Sequence, residues 1–278
     1  MFGSFCGSSI WMKRVFLTGA SSGIGLSIAK ALTEHGHEVW GTSRDPRRLP
    51  QLPRFHPLRL DLCDPTSIES TFNSALAEAG HFDVLINNAG SGHFGPTETL
   101  PADEVSQEFQ ILVFGHLKLT QLALNAMHAH GNGLIINITS LAARLPVPFM
   151  AAYNAAKAAM AAFTMSIQLE LPDRRVRIVD LQPADISTPF NEAVRKNQSD
   201  DSRYKARAAK TWNVVEQNMA AAPKPELVAR RVLRLMEETN PPPLITVGDL
   251  FQARIAPLIL RFVPQRVQIW GLKKYYGI

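Results

Sequence analysis

The chain has little cysteine, no long uninterrupted apolar run and no short-period repeat. Its 278 residues include two cysteines, Cys6 and Cys63, which are too few for a disulfide framework and are not grouped with histidines as metal ligands. No stretch reaches the ~18 apolar residues that a membrane-spanning helix needs. We therefore expect no disulfide scaffold, no bound metal and no membrane-spanning helix. We take the cytoplasm as the expected compartment.

The composition is that of a folded globular protein, with 46% hydrophobic and 19% charged residues. The net charge of +5 is unevenly distributed, because residues 195–278 hold 15 Lys and Arg against 7 Asp and Glu. A basic C-terminal third could meet anionic lipid, nucleic acid or a phosphorylated ligand, or it could simply be a solvated surface. We expect no nucleic-acid partner.

The N-terminus, MFGSFCGSSIW, lacks the basic region and long apolar core of a secretory signal. Met12 stands directly before KRVFLTG, where the first strand is predicted to begin. Our hypothesis is that Met12 is the natural start and that residues 1–11 are an upstream extension.

Apolar strand patterns alternate with helical patterns along most of the chain. Alternation of this kind predicts an α/β fold with a parallel sheet covered by helices on both faces. Residues 183–222 show weak periodicity and are predicted to form an irregular insertion over a site. The predicted strands are 13–17, 38–42, 57–61, 82–87, 134–140, 175–181 and 244–247, and the predicted helices are 23–35, 65–79, 102–130 and 149–170.

A glycine-rich turn, TGASSGIG at residues 18–25, lies between the first strand and the first helix. Gly19 permits a tight turn, Gly23 lets the backbone approach a ligand, and Gly25 lets helix and strand pack closely. The unpaired N–H groups at a helix N-terminus suit a diphosphate, although an ordinary strand–helix turn would show the same pattern.

The stretch AAYNAAKAAM places Tyr153 and Lys157 one turn apart on the same face of a helix. Such a pair usually faces solvent. An ammonium about 4 Å from a phenol would favour the phenolate by up to roughly 4 kcal/mol, which would make Tyr153 an acid–base group near neutral pH.

These motifs, with NNAG at residues 87–90 and Ser140 thirteen residues before Tyr153, resemble the short-chain dehydrogenase/reductase family, nearest its hydroxysteroid and retinol dehydrogenase branch. The resemblance implies a single-domain Rossmann-type doubly wound sheet of about seven strands. It also implies hydride transfer between a nicotinamide cofactor and an alcohol or carbonyl. The implied catalytic residues are Ser140, Tyr153 and Lys157, with Ser140 and Tyr153 binding the substrate. The implied cofactor-binding residues are Gly19, Ser21, Ser22, Gly23, Ile24, Gly25, Ser43, Arg44, Asp61, Leu62, Asn88, Ala89, Gly90, Tyr153, Lys157, Pro183, Ile186 and Thr188.

The tip of the second strand favours NADP(H) over NAD(H). NAD sites usually place an acidic residue there, whereas this chain has Ser43 and Arg44, which suit a 2′-phosphate. Arg44 could instead face solvent beside Arg47 and Arg48.

Two positions depart from the pattern of that family. Leu112 stands where the family commonly has an Asn that positions a water linking the lysine to solvent, which puts the proton relay in doubt. His116, one turn later, could lie near the same channel, although a surface position is the simpler expectation. Ala184 replaces a Gly that usually follows Pro183.

The predicted substrate pocket has apolar walls, which suggests a lipophilic primary or secondary alcohol and its aldehyde or ketone. We expect residues 12–249 to form the catalytic domain, with a substrate loop at about 188–222, and a homo-oligomer. Residues 250–278 form a basic amphipathic segment that could lie on a membrane or close over the pocket or a partner subunit. The predicted pocket walls are Leu141, Leu145, Pro146, Val147, Phe149 and Phe190.

Two rival functions stay open beside the oxidoreductase. The chain could be a cofactor-binding redox sensor or scaffold without turnover, which Leu112 favours and Ser140, Tyr153 and Lys157 oppose. It could also be a lipid-surface interaction protein that uses the basic C-terminal segment.

Overall fold

The computed structural model describes residues 11–197 and 202–278. The hypothesis about Met12 as the natural start depends on residues 1–10, which lie outside the described residues. The strands are β1 (Arg14–Leu17), β2 (Glu38–Ser43), β3 (Phe55–Arg59), β4 (Val84–Asn87), β5 (His93–Phe94), β6 (Gly133–Ile138), β7 (Val176–Pro183), β8 (Arg195–Lys196) and β9 (Leu244–Val247).

The helices alternate with these strands. They are α1 (Gly23–Glu34), α2 (Pro65–Ala79), α3 (Ala102–Phe109), α4 (Gly115–His130), α5 (Ala151–Glu170), α6 (Phe190–Ala193), α7 (Ser202–Ala221), α8 (Glu226–Glu237), α9 (Ala256–Phe262) and α10 (Gln265–Tyr276).

Seven parallel strands form the main sheet in the order β3-β2-β1-β4-β6-β7-β9. The chain begins in the middle of the sheet and winds outward in both directions, so the carboxyl ends of β1 and β4 meet at a switch point. The predicted single-domain Rossmann-type sheet of about seven strands is confirmed.

The side chains of each strand point alternately to two separate cores. Val15 and Leu17 of β1 pack under α1 and α8, where Ile28 and Val232 are fully buried. Phe16 between them faces the opposite core, which is built from α2, α4 and α5. Both faces of the sheet are therefore covered, which explains why the strands read as continuous apolar runs.

The structure corrects two predicted elements. The helix predicted over 102–130 is interrupted by a π-helical turn, Gln110–Phe114, where the Gly115 N–H donates to the carbonyl of Gln110. The stretch after Pro183 is not irregular, because it contains α6, β8 and the 20-residue helix α7. Its weak apolar periodicity reflects a helix that covers a cavity and not the core.

Candidate active site

The glycine turn joins β1 to α1 at the switch point of the sheet. Gly19 and Gly23 have positive φ angles of 71° and 54°, which side chains disfavour. A Cβ on Gly25 would lie 2.1 Å from the carbonyl oxygen of Gly19, so only glycine allows the helix to start this close to the strand.

The N-terminus of α1 is free to bind an anion. Ser22 is its N-cap residue, yet its side chain makes no capping hydrogen bond, and the first turn contains no acidic residue. The first N–H groups of the helix are thus not satisfied by a side chain, and no carboxylate repels a phosphate. This cradle fits the diphosphate of a nicotinamide dinucleotide.

The NNAG segment after β4 braces the glycine turn. The Thr18 hydroxyl accepts hydrogen bonds from the N–H groups of Asn88 (2.8 Å) and Ala89 (3.0 Å). The Asn88 amide in turn donates to the carbonyl oxygens of Thr18 (2.9 Å) and Gly19 (3.2 Å). The side chain of Asn88 therefore fixes the shape of the turn.

Ser140 and Tyr153 meet at the carboxyl end of β6. The Ser140 hydroxyl accepts a hydrogen bond of 3.0 Å from the N–H of Ala142, which starts a short 3-10 turn and orients the serine. Burial raises the pKa of Tyr153 to about 12, and a hydrogen bond with Ser140 acts in the opposite direction. The phenol is therefore neutral and holds its proton at physiological pH.

Lys157 lies below the ring of Tyr153. Its Nζ donates a hydrogen bond of 2.9 Å to the carbonyl of Ile138 and lies 5.8 Å from the centre of the tyrosine ring. Burial lowers the pKa of Lys157 to about 8, while the charges of Asp180 and Glu108 act against this shift.

The expectation that Lys157 favours the phenolate is wrong for this structure. Burial dominates the pKa of Tyr153, and the ammonium donates to a backbone carbonyl. A protonated phenol beside Ser140 is the arrangement needed to give a proton to a carbonyl oxygen.

Every predicted site residue lines a single cavity of about 700 Å³. It begins at Ser43 and Arg44, passes the glycine turn and ends beyond Tyr153. Among the pocket walls predicted from sequence, Leu141, Leu145, Val147 and Phe190 line this cavity. Pro146 and Phe149 are not among its lining residues. The lining residues predicted to hold the cofactor are Gly19, Ser21, Ser22, Gly23, Ile24, Gly25, Ser43, Arg44, Asp61, Leu62, Asn88, Ala89, Gly90, Pro183, Ile186 and Thr188, and those predicted to be catalytic are Ser140, Tyr153 and Lys157.

The far side of the cavity is formed by residues that the motifs did not reveal. Val215, Asn218 and Met219 of α7 face it, together with residues of the C-terminal segment. We call residues 250–278 the roof, because they close this side. The amphipathic pattern of the roof was the only sequence signal for these walls, and it left open whether the segment covers its own pocket. The lining residues of the roof are Phe251, Gln252, Ala256, Leu272, Tyr275 and Tyr276.

Two side-chain contacts hold the roof in place. The amide of Gln252 donates to Asp185 at 2.6 Å, and its oxygen accepts from the Asp185 N–H at 3.2 Å. The Tyr275 hydroxyl and the Asn218 amide are hydrogen-bonded at 2.8 to 3.0 Å. The alternative that the C-terminal segment closes over the pocket is confirmed in the structure.

Leu112 and His116 lie on the inner side of the helix that packs against α5. Leu112 is buried in a small apolar cluster with Ala156 and so offers no hydrogen bond there. The expected surface position of His116 is wrong, because this residue is 2% exposed and its Nε2 lies 3.2 Å from the Thr18 hydroxyl. Burial lowers the pKa of His116 to about 3, so this imidazole stays neutral.

One metal-like cluster occurs among the described residues, at the opposite end of the sheet from the cavity. Ligand atoms of His81, Asp83 and His130 lie within 4.8 Å of one another. The guanidinium of Arg14 already contacts this cluster, with its Nη1 2.9 Å from Nδ1 of His81. The cluster takes no part in the cavity.

Comparison with known proteins identifies the class of enzyme that this fold and site define. The family model described as short chain dehydrogenase matches residues 13–199. The chain belongs to the short-chain dehydrogenase/reductase family and is an oxidoreductase of the kind that acts on CH–OH groups. The predicted family is confirmed.

The most informative relatives match almost the whole chain. A 3-ketodihydrosphingosine reductase of Bacteroides thetaiotaomicron is 28% identical over 266 residues, which are 95% of this chain and 98% of that protein. The crystal structure of a short-chain dehydrogenase from Streptomyces avermitilis has a TM-score of 0.80 and 26% identity, and covers 96% of this chain and 98% of its own.

Solved structures with this fold contain either cofactor. A short-chain dehydrogenase from Burkholderia cenocepacia contains NADP (TM-score 0.68, 24% identity, 91% of this chain and 98% of that one). A relative from Burkholderia phymatum contains NAD (TM-score 0.77, 20% identity, 93% and 95%). The fold therefore fits a nicotinamide dinucleotide, and the choice between the two depends on residues of this chain.

Proposed function

We propose that the protein is an NADPH-dependent reductase of lipophilic ketones or aldehydes, which also catalyses the reverse oxidation of the alcohol. The observation that carries this proposal is one cavity that joins the anion cradle at Gly23 to Tyr153 and then to apolar walls. The bound nicotinamide supplies or accepts the hydride. Tyr153 gives its proton to the carbonyl oxygen, Ser140 orients that oxygen, and Lys157 would hold the ribose of the cofactor.

The apolar walls favour a substrate with a hydrocarbon chain. Leu145, Val147, Met219 and Leu272 line the same cavity as Tyr153, and their apolar side chains offer no hydrogen bond to a polar substrate. The Bacteroides relative, which matches the roof as well as the sheet, is named for reduction of 3-ketodihydrosphingosine. A ketone of that type is the first substrate to test.

The test measures NADPH oxidation with ketones and aldehydes of increasing chain length. We expect kcat/KM to rise with chain length and Tyr153→Phe to lower kcat by about 10²- to 10⁴-fold with unchanged NADPH affinity. Tyr204→Phe removes a hydroxyl that contacts Glu98 outside the cavity and serves as the matched control. Full turnover by Tyr153→Phe, or NADPH binding without turnover of any carbonyl compound, would favour the redox sensor or scaffold instead.

The preference for NADP(H) is proposed from the exposed tip of β2. Arg44 makes no hydrogen bond or ion pair with any described residue, so its guanidinium is available to a 2′-phosphate. The nearby carboxylate of Asp45 is occupied by Arg47, with distances of 2.9 and 3.0 Å to its two oxygens. The charge of Arg47 therefore offsets part of the repulsion between Asp45 and a phosphate.

Arg44→Asp should lower kcat/KM for NADPH and raise the ratio of NADH to NADPH efficiency by at least about tenfold. Arg230→Asp, an exposed charge reversal on α8 outside the cavity, should leave that ratio unchanged. An unchanged ratio in Arg44→Asp would refute the proposed preference.

We also propose that the outer face of the roof contacts an anionic membrane surface, with the rest of the protein in the cytoplasm. Among the described residues, no helix is long and apolar enough to cross a bilayer. The roof nevertheless exposes Leu258 by 61%, Phe262 by 77% and Trp270 by 63%, and none of these three residues lines the cavity. Exposed apolar side chains in one continuous segment are typical of an interaction surface.

The charge of the roof favours anionic lipid as the partner. Residues 250–278 contain five Lys and Arg and no Asp or Glu. Two copies of such a segment would repel each other, whereas the negative surface of a bilayer would attract it. Because the inner face of the same segment lines the cavity, membrane contact would place the substrate path beside the lipid.

Sedimentation with vesicles tests this contact. The protein should bind phosphatidylglycerol vesicles more strongly than neutral ones and release them as salt rises. The double substitution Phe262→Ser and Trp270→Ser should weaken binding, whereas Trp11→Ser, an 82% exposed residue outside the roof, should not. Loss of self-association in the double variant without loss of vesicle binding would assign this face to a partner subunit.

A homo-oligomer is proposed through α5, which exposes Phe163, Met165 (62%) and Leu169 (83%). The molar mass from light scattering should exceed that of one chain and fall in Leu169→Lys. A monomeric wild-type protein at micromolar concentration would contradict this assembly.

A further inference from the structure

A buried carboxyl and a buried imidazole contact each other where α3 packs against α5, the helix that carries Tyr153 and Lys157. Glu108 of α3 is fully buried, and its Oε2 lies 3.1 Å from Nδ1 of His93 in β5, which is 4% exposed. On its other side, Nε2 of His93 is buried without a hydrogen-bond partner among the described residues, and it lies 3.5 Å from an oxygen of Glu104, whose side chain is 25% exposed. The three side chains form a row from the interior to solvent.

The inner end of this row acts on both catalytic residues. Burial lowers the pKa of Lys157 and the charge of Glu108 opposes this shift, whereas burial raises the pKa of Tyr153 and the charge of Glu108 adds to that shift. The second oxygen of Glu108, Oε1, is buried and has no hydrogen-bond partner among the described residues. A buried carboxyl with an unused oxygen costs folding free energy, so this residue is not explained by stability alone.

The reaction needs such a group because each reduction consumes one proton. Tyr153 gives its proton to the product, and Leu112, one turn after Glu108, cannot form a hydrogen bond that would carry a replacement. His116 does not lead to solvent, because it is 2% exposed and its Nε2 lies 3.2 Å from the buried Thr18 hydroxyl. Glu108 and His93 form a described ionisable pair next to the partly exposed Glu104, and the charge of Glu108 acts on Lys157.

We propose that Glu108 and His93 form the proton relay of this enzyme, with Glu104 at its solvent end. In the direction of reduction, the O–H bond of Tyr153 breaks and its proton goes to the alcohol oxygen. The phenolate recovers a proton by way of the Lys157 ammonium, and Lys157 recovers one from the Glu108 carboxyl. Glu108 takes the proton on Nδ1 of His93, while Nε2 of His93 takes one from solvent through Glu104. One proton enters for each alcohol formed.

Other polar groups surround this row and will influence its titration. Burial raises the pKa of Glu108, whereas the hydrogen bond with His93 and the charge of Lys157 act in the opposite direction. The charge of Asp180 in β7 influences the pKa of Lys157, and the charge of Asp185 influences that of Tyr153. Near the solvent end, Arg195 of β8 donates a hydrogen bond to Gln107, and Asn197 donates one to Glu104.

The test compares Glu108→Gln with the wild type under saturating NADPH and ketone. We expect kcat to fall at least tenfold, the solvent deuterium isotope effect on kcat to increase and the pH profile of kcat to change. NADPH affinity and the melting temperature should stay close to wild-type values. Glu78→Gln, an exposed member of an ion pair with His56, is the control and should change none of these.

A second substitution restores a different route. Leu112→Asn in the Glu108→Gln background places a hydrogen-bonding side chain at the position that now lacks one, and it should regain part of kcat. Should Glu108→Gln fail to fold, Glu104→Gln at the partly exposed end should lower kcat and enlarge the isotope effect.

Because this relay rests on the proposed reductase, a wild type inactive on every carbonyl compound refutes that function. An active wild type with unchanged kcat and isotope effect in Glu108→Gln refutes the relay alone, and a low melting temperature with an unchanged isotope effect shows a structural role and also refutes it.

Discussion

Replacing Lys157 with Met should stabilise the fold while removing catalysis. Burial lowers the pKa of Lys157 from 10.5 to about 8. Each tenfold change in an ionisation equilibrium is worth about 1.4 kcal/mol, so holding this ammonium in the interior costs about 3 kcal/mol at pH 7. The substitution also leaves the Ile138 carbonyl without its donor, which costs about 1–2 kcal/mol. We expect a net gain of about 1–2 kcal/mol, since Met fills a similar space.

The gain should depend on pH in a defined direction. Below pH 8, Lys157 is charged in both the folded and the unfolded chain, and the full cost is present. Between pH 8 and pH 10.5, the folded protein loses its proton first, so the wild type gains stability relative to the variant as pH rises. Above pH 10.5, the amine is neutral in both states and the cost disappears.

Urea unfolding followed by circular dichroism, without cofactor, would measure this difference on either side of the folded-state pKa. Lys118→Met is the matched control, because Lys118 lies at the surface in an ion pair with Glu69 and should change stability by less than about 1 kcal/mol. A Lys157→Met variant that is less stable than the wild type at neutral pH would refute the reasoning. A stability advantage of the Lys157→Met variant that grows with pH would also refute it.

Three further substitutions test the site and its support. Gly25→Ala should abolish NADPH binding measured by fluorescence, because its Cβ would lie 2.1 Å from the Gly19 carbonyl oxygen; retained affinity would show that the turn can shift. Asn137→Ala should lower the free energy of unfolding by about 3 kcal/mol, because its amide donates to Thr164 at 2.8 Å and its oxygen accepts from another buried amide. Phe72→Ala should cost about 3–5 kcal/mol in urea unfolding, since this ring is 1% exposed, and a cost below 1 kcal/mol would contradict tight packing there.

The placement of the predicted catalytic residues follows from the sequence because local spacing fixes it. Tyr153 and Lys157 share one helix, and the glycine turn sits between one strand and one helix, so short-range geometry already places their atoms together. The strand ends converge because parallel strands have their carboxyl ends at one edge of the sheet. Motifs distant in sequence, such as Ser140 and Gly19, therefore line the same cavity.

The remaining features depend on long-range packing that no local pattern specifies. His93 and Glu108 are fifteen residues apart and meet only because β5 packs beside α3. The pKa of Tyr153 was mispredicted because the sequence shows the neighbouring lysine but not the depth of burial. The π-helical turn at Gln110–Phe114 leaves the apolar periodicity almost unchanged and so produced no signal.

The roof has a consequence for how specificity could change during evolution. It contributes no strand to the main sheet, and its described polar ties to the rest of the chain include the Gln252–Asp185 and Tyr275–Asn218 pairs. The predicted cofactor residues lie at the edge of the sheet, whereas the roof supplies part of the cavity wall as a separately attached segment. Substitutions within these roughly thirty residues can change which lipophilic substrate fits the cavity. The residues predicted to bind the cofactor need not change.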